Sequence, residues 1–279
     1  MDVGVFYFPS DYGIDVGRLA CALEERGFES LFLPEHTHIP VSRKTPYPGG
    51  GELPKCYIHS HDPFVALAFA AAATKRLKLG TGVCLVPQRD PIITAKSIAS
   101  LDAMSGGRFV FGIGAGWNQD ELENHGTAYD TRYKVMRERV LAMKALWTQE
   151  QASFHGEFVN FDPTWMWPKP EQKPHPPVLL GGGTDHTLRR VVSYCDGWLP
   201  IGRGGFDAAK EIERLRRAAE AGKRDPKSLS VTLFGAPPDK AVLDKHRKAG
   251  LDRVLLPIPD QTPDEIMRLV DTLAPLTKA

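Results

Sequence analysis

Four consecutive residues, Glu35-His36-Thr37-His38, place one carboxylate and two imidazoles directly after a short apolar run. Imidazole and carboxylate suit zinc or iron, and they suit proton transfer near neutral pH equally well. A buried histidine with satisfied hydrogen bonds is the plain structural alternative. A second stretch, 109–118, reads Phe-Val-Phe-Gly-Ile-Gly-Ala-Gly-Trp-Asn. Its glycines, Gly112, Gly114 and Gly116, carry no Cβ and let something large and flat approach the backbone, or crowd a buried strand. A dinucleotide fingerprint would require glycine where Trp117 stands, with a helix directly after it. A third stretch, Gly181-Gly182-Gly183-Thr184, precedes an arginine-containing helical pattern. Free N–H groups at a helix N-terminus bind anions and glycine gives a phosphate access to them, although a tight strand-to-helix turn needs the same residues. No Gly-Lys-Ser/Thr follows, so this is not a Walker loop.

The elements that position these stretches alternate. Strand-like runs fall near 3–8, 30–33, 78–84, 109–114, 178–180, 197–201, 230–234 and 253–257. Helical patterns follow at 14–26, 62–74, 91–104, 132–147, 184–194, 206–221, 239–248 and 263–274. Asp62-Pro63 and Asp90-Pro91 read as N-caps followed by proline at the first helical position, and Thr262-Pro263-Asp264-Glu265 reads as a capping box. Eight strand–helix units predict an α/β protein with a closed, eight-stranded parallel (β/α)8 TIM barrel, and residues 1–279 read as a single domain. An open doubly wound sheet uses the same alternation. Two insertions exceed a minimal barrel: 37–60 after strand two, rich in Pro and Gly, and 151–177 between helix four and strand five. The second holds a hairpin over 154–161. The first leaves the C-terminal end of its strand, where barrel active sites lie, and is the better lid candidate.

Composition excludes several classes. Thirty-five Lys and Arg balance 34 Asp and Glu for a formal charge of +1, which gives no argument for nucleic acid or an anionic membrane surface. The four cysteines lie far apart and form neither a disulfide framework nor a zinc site, as suits a reducing cytoplasm. The longest apolar run, 64–73, is about half of a bilayer span, so a soluble cytoplasmic protein is expected. Later strand ends supply glycine, tryptophan, cysteine and proline rather than further metal ligands, so no metal is expected. Tyr47, Tyr57, Trp117, Trp165 and Trp167 point to an apolar or aromatic cavity. Arg203 either meets an anionic substrate or faces solvent.

Taken in order, several segments resemble the luciferase-like barrel oxidoreductases, especially the branch that uses the deazaflavin coenzyme F420. They are Pro34-Glu35-His36, 79–83, Asp90-Pro91 with Ala95-Lys96, Leu101-Asp102 with 105–108, 114–118, and 177–182. The resemblance covers most of residues 1–205. It implies that Glu35 and His36 lie beside the cofactor ring as the catalytic residues, with Glu35 setting the tautomer of His36. It implies a cis peptide at Gly82-Val83 against which the ring rests, and a lining from Ala115, Gly116 and Asn118, with Trp117 beside cofactor or substrate. It assigns the cofactor's phosphate to Gly181, Gly182, Gly183 and Thr184. The implied reaction is hydride transfer between deazaflavin C5 and an unidentified small organic substrate, in a homodimer. The same family implies two alternatives, an FMN-dependent monooxygenase and a catalytically silent flavin- or deazaflavin-binding barrel.

Overall fold

The computed structural model describes residues 1–41, 43–202 and 205–278. The first strands are β1 (Asp2–Phe6), β2 (Ser30–Leu33), β3 (Lys78–Thr81), β4 (Cys84–Leu85) and β5 (Phe109–Gly114). A hairpin, β6 (Ala152–His155) and β7 (Asn160–Thr164), precedes β8 (Val178–Gly181), β9 (Gly197–Leu199), β10 (Ser230–Phe234) and β11 (Arg253–Pro257). Parallel pairing runs β1-β2-β3-β5-β8-β9-β10-β11 and returns to β1, where Val5 pairs with Leu256 and with Leu31 on its two sides. The chain is therefore a closed eight-stranded parallel barrel, and the open-sheet alternative is excluded. The run expected at 78–84 is divided: β3 pairs with both β2 and β5, whereas β4, beyond Gly82-Val83, pairs only with β5.

Outside the strands lie α1 (Val16–Glu25), α2 (Pro63–Ala73), α3 (Pro91–Ser105), α4 (Gln119–Asn124), α5 (Arg132–Thr148), α6 (Asp185–Tyr194), α7 (Ala208–Ala221), α8 (Lys240–Ala249) and α9 (Pro263–Leu273). Their starts follow from capping chemistry. Asp62 Oδ1 accepts from Phe64 N and Val65 N, Asp90 Oδ1 accepts from Ile93 N, and the Thr262–Glu265 box is complete. Helix α4 is an addition to the sequence-based expectation. Its six residues, Gln-Asp-Glu-Leu-Glu-Asn, are too few and too polar to show an apolar period.

The barrel interior is filled by Phe32, Val110, Leu179, Leu199 and Leu255, so it is a packed core rather than a pore. Phe6, Val83 and Phe234 lie partly buried on this plug, and the Phe6 and Phe234 rings stack 3.9 Å apart. A larger core between strands and helices includes Leu19, Leu67, Ile98, Met143 and Val191. Both kinds of burial come from strand residues alternating between the two faces of the wall.

Candidate active site

The glycine run at the end of β5 builds the floor of the C-terminal mouth. A Cβ on Gly112 would lie 1.9 Å from the Thr81 carbonyl oxygen, and one on Gly114 would lie 2.5 Å from Val83 Cγ2. These two glycines are therefore taken up by packing of β5 against the neighbouring strand. Gly116 has φ +82°, a left-handed conformation that turns the chain from the strand toward Trp117, Asn118 and α4. Ala115 is buried beside them. The Gly82-Val83 peptide is cis, as the resemblance implies.

His36 is nearly buried, and its Nδ1 lies 2.8 Å from Glu121 Oε2 on α4. The carboxylate accepts the Nδ1 proton, which leaves Nε2 as the acceptor and proton-exchanging atom of the ring. Glu121 is 0% exposed, and its other oxygen, Oε1, has no hydrogen-bond partner among the described residues. Around the imidazole stand Tyr57, with ring centroids 4.9 Å apart, and Trp117, at 5.8 Å. Tyr47 meets both Tyr57 and Trp117 edge-on, and Phe8 packs on Tyr57 at 4.6 Å. Trp165 and Trp167 are not part of this box. They stand 69% and 58% exposed just after β7, outside the barrel, where Lys96 of α3 donates to the Trp167 carbonyl.

Glu35 points elsewhere. Successive side chains leaving a strand face opposite ways, so His36 faces the mouth while Glu35 turns into the wall. Its fully buried carboxylate accepts from Arg89 Nε and Nη2 and, at 2.6 Å, from Leu85 N of β4. Arg89 also donates to Asp62, the cap of α2. Burial works against the Arg89 charge, but Glu35 outweighs it and holds the guanidinium above its ordinary range. Burial and then Glu35 push the Cys84 thiol well above its ordinary value. The expectation that Glu35 sets the tautomer of His36 is thus corrected: Glu121 occupies that position. Glu121 and Arg89 were absent from the sequence reading. The acidic pair Asp120-Glu121, four and five residues after Gly116, is the available signal.

His38 contacts neither Glu35 nor His36 but lies 3.0 Å from Thr37 Oγ1, so the carboxylate and the two imidazoles of the 35–38 run have separate partners. Among the described residues no group of three His, Cys, Asp or Glu is arranged to hold a metal ion. Arg203 lies outside the described residues.

At the β8 end, Gly182 O accepts from Trp198 Nε1 at 2.6 Å, and Gly183 O accepts from Arg214 Nη2 at 2.9 Å. Thr184 caps α6, its hydroxyl oxygen accepting from Thr187 N at 3.1 Å. A cavity of about 330 Å³ opens beside Gly182 and Gly183, with Lys210 and Arg214 on its far wall. No described residue lies within 4 Å of where a Gly183 Cβ would be. Arg214 is already paired with Asp185 and Glu211.

The chain that carries this arrangement at the C-terminal mouth of a closed parallel barrel is similar to known proteins. The luciferase-like monooxygenase family model covers residues 10–249, and the chain belongs to that family, whose members are oxidoreductases and monooxygenases. A protein of uncharacterised function from Mycobacterium tuberculosis is 42% identical over 279 residues, 98% of each chain. The FMNH2-dependent dimethylsulfone monooxygenase of Pseudomonas putida is 32% identical over 154 residues, 54% of this chain and 42% of that one. Among solved structures, monooxygenase RslO1 from Streptomyces bottropensis superposes with a TM-score of 0.81 at 22% identity, over 99% and 98% of the two chains. The coenzyme F420-dependent tetrahydromethanopterin reductase from Methanopyrus kandleri does so with a TM-score of 0.73 at 17% identity, over 96% of each. These two likenesses are likenesses of fold. No helix among the described residues is long and apolar enough to cross a membrane.

Proposed function

We propose that the chain is an F420-dependent oxidoreductase that moves a hydride between deazaflavin C5 and a small organic substrate. The observation that carries this reading is the buried His36–Glu121 pair at the barrel mouth. A hydride delivered to or taken from a carbonyl carbon needs a proton partner at the oxygen, and His36 Nε2, with Nδ1 held by a carboxylate, is suited to that exchange. When bound, the deazaflavin supplies the hydride chemistry.

The residues present fit such a cofactor. Asn118 is 1% exposed, and neither atom of its amide has a partner among the described residues, which leaves a donor and an acceptor for polar groups of a ring or polyol. Val83, Gly82, Ala115, Gly116 and Trp117 would line the ring, and Gly181, Gly182, Gly183 and Thr184 would receive the phosphate. The open space at Gly183 and the cations Lys210 and Arg214 support that placement. Glu35, in this reading, fixes the wall behind His36 rather than touching the ring. The aromatic box of Tyr47, Tyr57 and Trp117 favours apolar or aromatic substrates.

FMN has the same ring shape, and the identity with the dimethylsulfone monooxygenase favours FMN-dependent monooxygenation as the second reading. We further place the protein in the cytoplasm as a homodimer in which residues 1–279 act as one domain. The exposed Val65, Phe69, Ile93 and Met104 of α2 and α3 form an apolar face that a second copy would cover. Titration with F420 and with FMN, followed by fluorescence quenching, tests the cofactor. Tight FMN binding without F420 binding overturns the leading reading. F420 binding with no hydride transfer across a panel of ketones, enones and imines points to the silent barrel.

A further inference from the structure

The His36–Glu121 bond is the first of three parallel contacts. Thr37 Oγ1 lies 2.8 Å from His125 Nε2, and Asn124 Nδ2 lies 3.0 Å from His38 Nε2. Residues 36, 37 and 38, leaving β2, are thus bonded in turn to 121, 125 and 124, at α4 and its C-terminal cap. Thr37 Oγ1 also lies 3.0 Å from His38 Nδ1, which joins the second and third rungs.

Donor and acceptor roles in this ladder are fixed by the amide. Asn124 Nδ2 donates, so His38 Nε2 accepts and His38 Nδ1 carries the proton. That proton goes to Thr37 Oγ1, and the threonine's own proton goes to His125 Nε2. We propose that Thr37 and His125 are positioning residues that hold Glu121 against His36, and that their rung is intact only while His125 is neutral. A proton on His125 Nε2 would reverse the rung. The Thr37 oxygen would face two N–H donors, and its own proton would lose its acceptor.

The surroundings disfavour a proton on His125. Burial lowers its pKa most, then His38, whose ring is 5.2 Å away, while Arg89 adds a smaller push in the same direction. Glu121 and Glu35 pull the other way and are outweighed. The remaining charged groups on α4 are engaged at its outer side. Asp120 accepts from Lys44 N and lies 3.8 Å from Lys44 Nζ, and Glu123 accepts from Gln119. The ladder is therefore complete at neutral pH and fails as pH falls below the ordinary imidazole value of about 6.5.

This inference rests on the proposed acid–base role of His36, but its test is spectroscopic and needs no substrate. The low-field Nδ1–H proton of His36 is followed by NMR in the whole protein labelled with 15N-histidine. In the unaltered chain it is expected at neutral pH and lost on acidification. Thr37→Val should speed its exchange with solvent by about tenfold or more at neutral pH, and Thr37→Ser should restore it. His125→Gln, whose amide oxygen accepts the Thr37 hydroxyl proton without titrating, should keep the resonance to lower pH than the unaltered chain does. A Thr37→Val protein indistinguishable from the parent overturns the proposal. So does an unchanged pH dependence in His125→Gln, and that arm decides the matter if Thr37→Val does not fold. Full turnover by His36→Gln would instead overturn the acid–base reading itself.

Discussion

His36 Nδ1 and Glu121 Oε2 lie 2.8 Å apart, although 85 positions separate the two residues in the chain. The carboxylate that orients the imidazole comes from a six-residue helix after β5, not from the neighbouring Glu35. Replacing Glu121 by Gln keeps the shape and removes the charge that stabilises a protonated ring. Turnover of a substrate found by screening should fall by roughly a hundredfold or more. F420 affinity should stay within about threefold of the parent, a difference of under 1 kcal/mol. Equal turnover in steady-state assays would remove Glu121 from the mechanism.

Arg89 neutralises a carboxylate that has no access to water. Arg89→Met leaves Glu35 charged and unpaired in the wall, at a cost of about 3–5 kcal/mol. For a chain of this size that lowers Tm by roughly 6–20 °C. Glu35→Gln in the same chain should recover at least half of the loss, since the amide oxygen still accepts from Leu85 N. Thermal denaturation of the single and double variants distinguishes this from a general packing defect, which the second change would not repair.

Val83 Cγ2 fills the space beside Gly114 in which a Cβ would sit. Gly114→Ala should therefore destabilise the barrel by about 1–3 kcal/mol through overpacking. Val83→Ala should relieve most of that cost when combined with it, as a chemical-denaturation double-mutant cycle would show. Additive losses would mean that the two side chains do not compete for the same space.

Acid stability should depend on Glu29, just before β2. Its carboxylate receives Arg253 Nε at 2.7 Å and Nη2 at 2.6 Å, with Lys78 Nζ at 3.0 Å. Burial raises its pKa, the Arg253 guanidinium outweighs burial, and the net value lies below the ordinary carboxylate range. The resulting stabilisation is complete above about pH 4.3 and is lost as pH falls toward the lowered value. Melting temperatures measured from pH 5 to pH 3 should fall more steeply for the parent than for Glu29→Gln. Parallel curves would show that the pair contributes nothing there.

The regular part of the fold was readable because its signals are local. Alternating strands and helices announced the barrel, and Asp62, Asp90 and Thr262 announced helix starts through chemistry acting over three residues. Strand ends were read less well, since β1 stops at Phe6 rather than at 8 and β9 at Leu199 rather than at 201. Site residues held by distant partners were the least legible. Nothing near Glu35 indicates that Arg89 claims it across 54 positions, and nothing near His36 names Glu121. The glycine run does lie at the mouth, but Gly112 and Gly114 accommodate Thr81 and Val83 as well as any ligand.

Past the end of β3, Gly82 N still donates to Leu33 O of β2 at 2.8 Å, and three residues further along Leu85 N is met by the Glu35 side chain. Above the divided strand, one side chain thus does the work of missing backbone. Lattice regularity gives way there to a seam whose width is set by the length of a single residue. An aspartate at 35 would have to draw the two sides of the seam together or leave Leu85 N without an acceptor. The rim of this barrel is in that sense adjustable by point substitution, whereas its eight-stranded body is held by many repeated backbone bonds.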